Sequence, residues 1–248
     1  MMLRIATYNI HKGLTHFNRR MMVHELRDTL RLLDLDIVFL QEVLGHHQHH
    51  ASRFHNWPEE PQYEFLADQV WKDYAYGRNA VYDHGHHGNA ILSRYPIVRA
   101  ENQDISHHQL ERRGLLHCEI ALPGEARRLH CICVNLALVE RSRRYQIGAL
   151  IERIQHLVPQ RDPLIVAGDF NDWRNLGGRR LREEIGLKEA FRDHHGRVAR
   201  SYPCTLPVLR LDRIYARGFA IDHAEVHHGL PWSRLSDHAA LSAHLKLL

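Results

Sequence analysis

The chain has 248 residues, of which 44% are hydrophobic, and its formal net charge is +4. No linker rich in Pro, Gly or Ser divides it, so we predict a single domain over residues 1–248. The mild positive charge permits an anionic substrate without demanding nucleic acid, because no block of like charges occurs. The first residues do not resemble a signal peptide, and no apolar run reaches membrane-spanning length. A cytoplasmic protein, by default a monomer, is therefore expected.

Cysteine and histidine usage gives no clear metal motif. The four cysteines form no CxxC pair, and small buried hydrophobes in a reducing compartment are the favoured interpretation. The 23 histidines concentrate at 46–50 and 84–87. Neither stretch has the helical HExxH arrangement of zinc enzymes, so we favour solvated loop histidines over metal ligands. The cysteines are Cys118, Cys131, Cys133 and Cys204.

Hydrophobic periodicity in the first half of the chain predicts three strands and a helix. A buried strand is expected over residues 3–10, and an amphipathic helix over residues 20–33. A short apolar run at 37–40 predicts a strand that ends in Gln41-Glu42, and residues 89–93 predict another.

In the second half, alternation at 116–122 and an apolar run at 129–138 flank a Pro-Gly turn, which predicts an antiparallel pair. We predict a helix over 141–158, a buried strand at 164–167 and a half-buried strand at 241–247. Mixed strands interspersed with long helices are typical of an α/β protein, here with two sheets packed face to face and helices outside.

Polar residues follow or interrupt several of these apolar segments. Carboxylate and amide oxygens suit Mg²⁺, which prefers oxygen ligands. Taken singly, each residue has an ordinary explanation as a turn, a solvated strand end or a helix cap. Together they indicate a site. The residues are Asn9, Glu42, Asp169, Asn171, Asp212, Asp237 and His238.

Four short motifs place most of these residues in a recognisable order. That order resembles the endonuclease/exonuclease/phosphatase (DNase I-like) superfamily, which includes nucleases, inositol phosphatases and neutral sphingomyelinases. Two further segments resemble a bacterial branch of uncertain substrate more than the dedicated nucleases, Gly88-Asn89-Ala90-Ile91-Leu92-Ser93 and Leu211-Asp212-Arg213-Ile214-Tyr215. The resemblance implies an α/β/β/α four-layer sandwich, two mixed sheets flanked by helices, with the site at one edge. The motifs are Thr7-Tyr8-Asn9-Ile10, Leu40-Gln41-Glu42-Val43, Gly168-Asp169-Phe170-Asn171 and Ser236-Asp237-His238.

The resemblance also implies a cofactor and its ligands. Glu42 would be the principal ligand of Mg²⁺ or Mn²⁺, with Asn9 and Asp237 completing the shell directly or through water. The implied activity is hydrolysis of a phosphoester by in-line attack of an activated water.

The remaining motif residues take the catalytic roles by the same resemblance. Asp169 would orient or deprotonate the water, and Asn171 would hydrogen-bond a phosphate oxygen. Asp212 would hold the tautomer of His238, which then donates to the phosphate. Whether His238 or Asp169 acts as the base stays open.

Asn135 departs from the family pattern, because many relatives carry a catalytic histidine or tyrosine on this strand. An amide donates a hydrogen bond but does not shuttle a proton near neutral pH. The Asn135→His variant is therefore expected to preserve or raise turnover. The departure also supports an alternative reading, in which a catalytically weakened member binds a phosphorylated ligand or a membrane headgroup.

The substrate itself is not fixed by these patterns. Arginines are candidate phosphate clamps, although surface solvation is the more common role. A nucleic acid, a small phosphodiester and a phospholipid headgroup all stay open as the phosphate-ester partner. Trp232 is expected to pack rather than to contact substrate. The candidate arginines are Arg112, Arg113, Arg141 and Arg213.

Overall fold

The computed structural model describes residues 1–15, 20–47, 53–54, 56–108 and 111–248, without the side chains at 46 and 47. Two six-stranded mixed sheets form its centre. The first sheet has the order β11-β12-β1-β2-β4-β3 and the second β5-β6-β7-β8-β10-β9. The first sheet comprises β1 (Met2–Asn9), β2 (Ile37–His47), β3 (Asp73–Tyr82), β4 (Gly85–Ser93), β11 (Phe219–His227) and β12 (Ala240–Leu247). The second comprises β5 (Ile97–Asp104), β6 (Gly114–Ala121), β7 (Arg128–Asn135), β8 (Leu164–Asp169), β9 (Lys188–Glu189) and β10 (Asp212–Arg217).

Six α-helices and one 3₁₀ turn are described around the sheets. The longest, α3, has an apolar face that packs on the second sheet, and α1 and α2 cover the first. None of the described helices combines the length and apolar character needed to cross a membrane. The helices are α1 (Val23–Leu32), α2 (Gln62–Ala67), α3 (Glu140–Leu157), α4 (Leu176–Ile185), α5 (Ala190–His195) and α6 (Trp232–Leu235), and the 3₁₀ turn is His11–Gly13.

Strand alternation builds the layers. In β1, Leu3 and Ile5 enter the core between the sheets, whereas Ala6 and Tyr8 face the helices. This follows from the two-residue side-chain period of a strand. The result is the helix-sheet-sheet-helix sandwich that the resemblance implied.

The cysteines behave as expected from their apolar surroundings. Cys118, Cys131 and Cys133 lie in the core between the sheets, and Cys204 packs under the first sheet's helices. All four are free and buried. Burial raises the pKa of each thiol, which keeps it protonated and unreactive.

Three expectations from the sequence are corrected. The strand predicted to end at Glu42 continues as β2 to His47, because a register shift between Leu40 and Val43 absorbs Gln41-Glu42. The strand predicted to reach residue 138 ends at Asn135. The segment at 84–87 is not a solvated loop, because β4 begins at Gly85. The histidine stretch at 46–50 lies outside the described side chains, so its prediction stays untested.

Candidate active site

The site lies where strands from both sheets end at one edge. β1 and β2 run parallel, with Asn9 beside Gln41, and β7 and β8 run parallel, with Asn135 beside Asp169. Since the carboxyl ends of parallel strands meet at one edge of a sheet, their terminal polar side chains point into a shared cleft.

A bulge in β2 presents Glu42 to this cleft. Glu42 has a φ of 56°, an uncommon value for a side chain other than glycine, at the register shift between β2 and β4. Its Oε1 accepts a hydrogen bond of 3.3 Å from Asn9 Nδ2. Although burial opposes the shift, nearby Lys12 and the Asn9 amide lower the pKa of Glu42. The bulge therefore holds an ionised carboxylate at the cleft.

Asn9 connects the two sheets. Its Nδ2 also donates to Asp169 Oδ2 over 3.3 Å, while its Oδ1 accepts the backbone N–H of His11. In this orientation the amide presents its N–H groups, rather than its carbonyl, to Glu42 and Asp169. Asn9 thus lies beside both carboxylates, and direct ligation of a metal would need its carbonyl to turn inward.

Gly168 allows Asp169 to reach the cleft. A Cβ atom at Gly168, which has a φ of 148°, would lie 2.0 Å from the backbone oxygen of Val134 on the neighbouring strand. Only glycine permits this approach. Asp169 is buried, and burial together with Asp212 raises its pKa. Its Oδ1 accepts the N–H of Asn171, which fixes the carboxylate.

The side chain of Asn171 is also held in place. Its backbone has a φ of 49°, and its Nδ2 donates to the carbonyl of Leu136 over 2.8 Å. One N–H of the amide is thereby used to fasten the loop after β8 to the loop after β7. The other N–H donates to no described residue, so it can make the predicted contact with a phosphate oxygen.

Asp212 and His238 form a buried carboxylate–imidazole pair. His238 Nδ1 lies 2.8 Å from Asp212 Oδ2, and Nε2 lies 3.9 Å from Asp169 Oδ2. Because a carboxylate only accepts, Nδ1 carries the proton and Nε2 faces the cleft. Burial disfavours the imidazolium, yet Asp212 and Asp169 raise the pKa of His238 to about 10. A protonated His238 can donate to an anion.

Several supporting residues escaped prediction. Ser236 Oγ donates to the carbonyl of Asn9 over 2.7 Å and accepts the N–H of His238, so it joins the Ser-Asp-His turn to β1. His11 Nδ1 lies 3.6 Å from Asp237 Oδ1. Tyr202 packs beside His238, with 5.1 Å between ring centroids. Of these three, only Ser236 could have been found from the sequence, because it is the first residue of the Ser236-Asp237-His238 motif.

Two groupings of these residues could attract a cation. Oxygen and nitrogen atoms of Asp169, Asp212 and His238 lie within 4.8 Å of one another. Both ring nitrogens of His238 already face carboxylates there, so a cation would have to break the contact of His238 with Asp212 or with Asp169. Glu42 instead makes no ion pair within 4.0 Å among the described residues and faces Asp169 across the Asn9 amide. This excess of carboxylate oxygen fits a hard divalent ion.

The remaining predicted residues divide between site and scaffold. Asn135 is 4% exposed at the end of β7, beside Asp169. Arg213 is fully buried and donates to the carbonyls of Asp212 and Asp172, so it supports the loops and does not clamp substrate. Trp232 packs edge-on against Tyr8, as expected. Arg112 and Arg141 are exposed, and Arg113 is partly buried.

Residues 6–238 match the Endonuclease/Exonuclease/phosphatase family, so the chain belongs to this family. A protein of Escherichia coli (strain K12), YbhP, itself uncharacterized, is 49% identical over 247 residues, covering 98% of this chain and 96% of that protein. A UPF0294 protein of Erwinia tasmaniensis is 34% identical over 117 residues, which is 46% of this chain and 38% of that protein.

Solved structures share the fold. An endonuclease/exonuclease/phosphatase from Beutenbergia cavernae has a TM-score of 0.77 at 20% identity, covering 99% of this chain and 72% of that one. TDP2 of D. rerio, complexed with a single-strand DNA product, has a TM-score of 0.72 at 19% identity, covering 99% of each chain. The arrangement of two sheets and flanking helices is therefore that of the family.

Proposed function

We propose that the protein is a phosphodiesterase that depends on Mg²⁺ or Mn²⁺ and acts by in-line attack of an activated water. One observation carries this proposal. Asn9 and Glu42 from the first sheet face Asp169 of the second, and the buried Asp212–His238 pair opens onto Asp169 from the other side. Family membership supports a reaction at a phosphoester bond.

The cation would be held by Glu42 with support from Asn9 and Asp237. When bound, a divalent ion neutralises phosphate oxygens and lowers the pKa of a coordinated water. The lowered pKa of Glu42 supports this assignment, because an ionised carboxylate is the form that binds a metal.

His238 has the role of a proton or hydrogen-bond donor. Asp212 holds Nδ1–H, which leaves Nε2 toward the cleft, and the raised pKa of His238 keeps that nitrogen protonated. A charged donor aimed at a phosphate oxygen stabilises the charge that develops there. We assign to Asp169, 3.9 Å from Nε2, the orientation or deprotonation of the attacking water, and to Asn171 a contact with a phosphate oxygen.

Divalent-metal titration against generic substrates tests the proposal. Bis-p-nitrophenyl phosphate and p-nitrophenyl phosphate separate diesterase from monoesterase activity. We expect turnover of the diester that needs Mg²⁺ or Mn²⁺ and is lost in Glu42→Ala and His238→Ala. The Glu183→Ala variant, at an exposed ion pair with Arg179 on α4, is the matched control and should retain activity.

The opposite result has a defined meaning. If no divalent ion supports turnover, and Glu42→Ala does not lower the activity, the proposal of an enzyme is wrong. The alternative is then a protein that binds a phosphorylated ligand or a membrane headgroup. We also propose that residues 1–248 act as one domain in the cytoplasm. The span of the site from Asn9 to His238 supports the first statement, and four free cysteines support the second.

A further inference from the structure

A hairpin beside the site holds leucine and valine side chains in solvent. The N–H of Leu209 donates to the carbonyl of Tyr202 over 2.8 Å, and the N–H of Tyr202 donates back to Leu209. Leu206 is 73% exposed at the turn, and Val208 and Leu209 are also exposed. Because the backbone is hydrogen-bonded in this shape, the hairpin presents its apolar side chains outward.

A second loop adds to this surface and ties it to the catalytic edge. Leu230 is 69% exposed, and the N–H of the preceding Gly229 donates to the carbonyl of Cys204 in the hairpin. The N–H of Cys204 in turn donates to the carbonyl of Asp237 over 2.7 Å. We name Leu206, Val208, Leu209 and Leu230 the apolar rim. Large apolar side chains exposed on two loops joined in this way are typical of an interaction surface.

Three arginines flank the residues of the apolar rim in the sequence. Arg200, Arg210 and Arg234 are exposed, and none forms an ion pair with another described residue. Elsewhere on the surface, arginines such as Arg179 and Arg180 pair with a glutamate on the same helix. Unpaired cations beside apolar side chains complement an anionic surface that also has a hydrocarbon interior.

A cavity of about 1050 Å³ lies between the hairpin and the site. Tyr202 and Cys204 line it from the hairpin, Leu235 and Arg234 from α6, and Asp237 from the site. Because Asp237 is a candidate metal ligand, this cavity joins the loops that carry the apolar rim to the site.

We infer that the apolar rim docks the protein on an anionic phospholipid membrane, where the site acts on a lipid phosphodiester. The substrate class rests on the proposed function, whereas the docking surface does not. Nucleic acid fits less well, because bases stack on aromatic rings and phosphates gain nothing from Leu206 or Leu230. Exposed aliphatic side chains are stabilised when they leave water for an apolar environment, which the interior of a bilayer supplies.

Vesicle sedimentation tests the inference on the full chain. The vesicles are phosphatidylcholine with or without phosphatidylglycerol, and the rim variant combines Leu206→Ser with Leu230→Ser. We expect wild type to bind the anionic vesicles, and the rim variant to bind them at least ~ten-fold more weakly. The control combines Leu32→Ser (84% exposed) with Leu157→Ser, both at helix ends away from the hairpin, and should bind like wild type.

Each contrary outcome overturns the docking inference. These are a wild type that ignores the vesicles, a rim variant that binds like wild type, a control that loses as much affinity, and binding to a single-stranded oligonucleotide alone. Equal thermal midpoints by circular dichroism establish that the variants are folded. Glu42→Ala should still bind vesicles while losing hydrolysis, so failure of docking and failure of the proposed function are distinguishable.

Discussion

Two buried histidines of this molecule, His238 and His117, have opposite protonation states near neutral pH. At the site, His238 faces Asp212 and Asp169, and its pKa is raised to about 10. On the outer face of the second sheet, His117 contacts the guanidinium of Arg153. Burial and Arg153 lower the pKa of His117 to about 3. Burial disfavours the imidazolium at both sites, and only at His238 do the neighbouring carboxylates outweigh it.

The geometry of the second site fixes its hydrogens. Arg153 Nε donates to His117 Nδ1 over 3.1 Å, so the proton of His117 sits on Nε2. That nitrogen lies 2.9 Å from His130 Nδ1, and His130 Nε2 lies 3.5 Å from Asp162. The chain runs from arginine to aspartate with both rings neutral. It ties β6, β7 and α3 together, whereas the pair at His238 opens onto a cleft.

The largest expected effect comes from removing the carboxylate at the site. Asp212→Asn removes the negative charge that raises the pKa of His238, and its amide can also turn an N–H toward Nδ1, so the tautomer is no longer fixed. We expect kcat for the diester to fall ~10²–10⁴-fold, the usual scale for a positioned acid or base. The same substitution at the second site, Asp162→Asn, is the matched control and should leave kcat near the wild-type value.

NMR titration of the histidines checks the cause. The pKa of His238 should fall in Asp212→Asn and stay raised in Asp162→Asn. Equal loss of kcat in both variants would show that folding, rather than the carboxylate at the site, sets the rate.

The next effect is on stability in acid. The folded pKa of His117 lies near 3, and an unfolded histidine titrates near 6.5, so the unfolded chain binds more protons between these values. The contribution of His117 to stability is therefore present above pH 6.5 and is lost as the pH drops toward 3. One such histidine lowers the free energy of unfolding by about 2 kcal/mol between pH 6.5 and pH 5.

Urea unfolding at a series of pH values measures this slope. The pKa of His130 is lowered too, chiefly by burial, and adds in the same direction. The His117→Leu variant should show a shallower acid slope than wild type, even if it is less stable at pH 8. An unchanged slope in that variant would place the acid sensitivity elsewhere.

A smaller effect on stability is expected from removing the guanidinium of Arg153 at the second site. Arg153→Met removes the donor to His117 and the ion pair with Glu101. Because burial is the larger cause, the pKa of His117 should rise yet stay below 6.5. We expect a loss of about 1 kcal/mol in the free energy of unfolding at pH 8, measured by urea unfolding, with NMR titration for the pKa. A further fall in the pKa of His117 would contradict the inference that Arg153 lowers it.

The sequence patterns predicted these two sites unequally. Asn9, Asp169 and His238 were identified because family motifs mark them and strand ends bring them together. The pair of His117 and His130 carried no signal, since it depends on the register of β6 against β7. Strand pairing of this kind joins residues by position in the sheet, which local periodicity does not reveal.

The fold shows the same division. Strands with continuous apolar runs, such as β1 and β8, were predicted within a few residues, because burial on both faces leaves a strong pattern. The edge strand β5 was not predicted, since its side chains are mostly exposed or half-buried. The bulge at Glu42 was read as a strand end, because it arises only where β2 pairs with β4.

The smallest effect concerns Asn135. It lies beside Asp169 on the neighbouring parallel strand, so an imidazole placed there would face the carboxylates of the site. The same carboxylates that raise the pKa of His238 would favour a protonated histidine at this position, and its N–H could donate in place of the amide. We therefore expect Asn135→His to keep kcat at or above the wild-type value, within about three-fold, equivalent to less than ~1 kcal/mol. Steady-state kinetics with saturating Mg²⁺ measures this, and a large loss in a folded variant would remove Asn135 from the catalytic set.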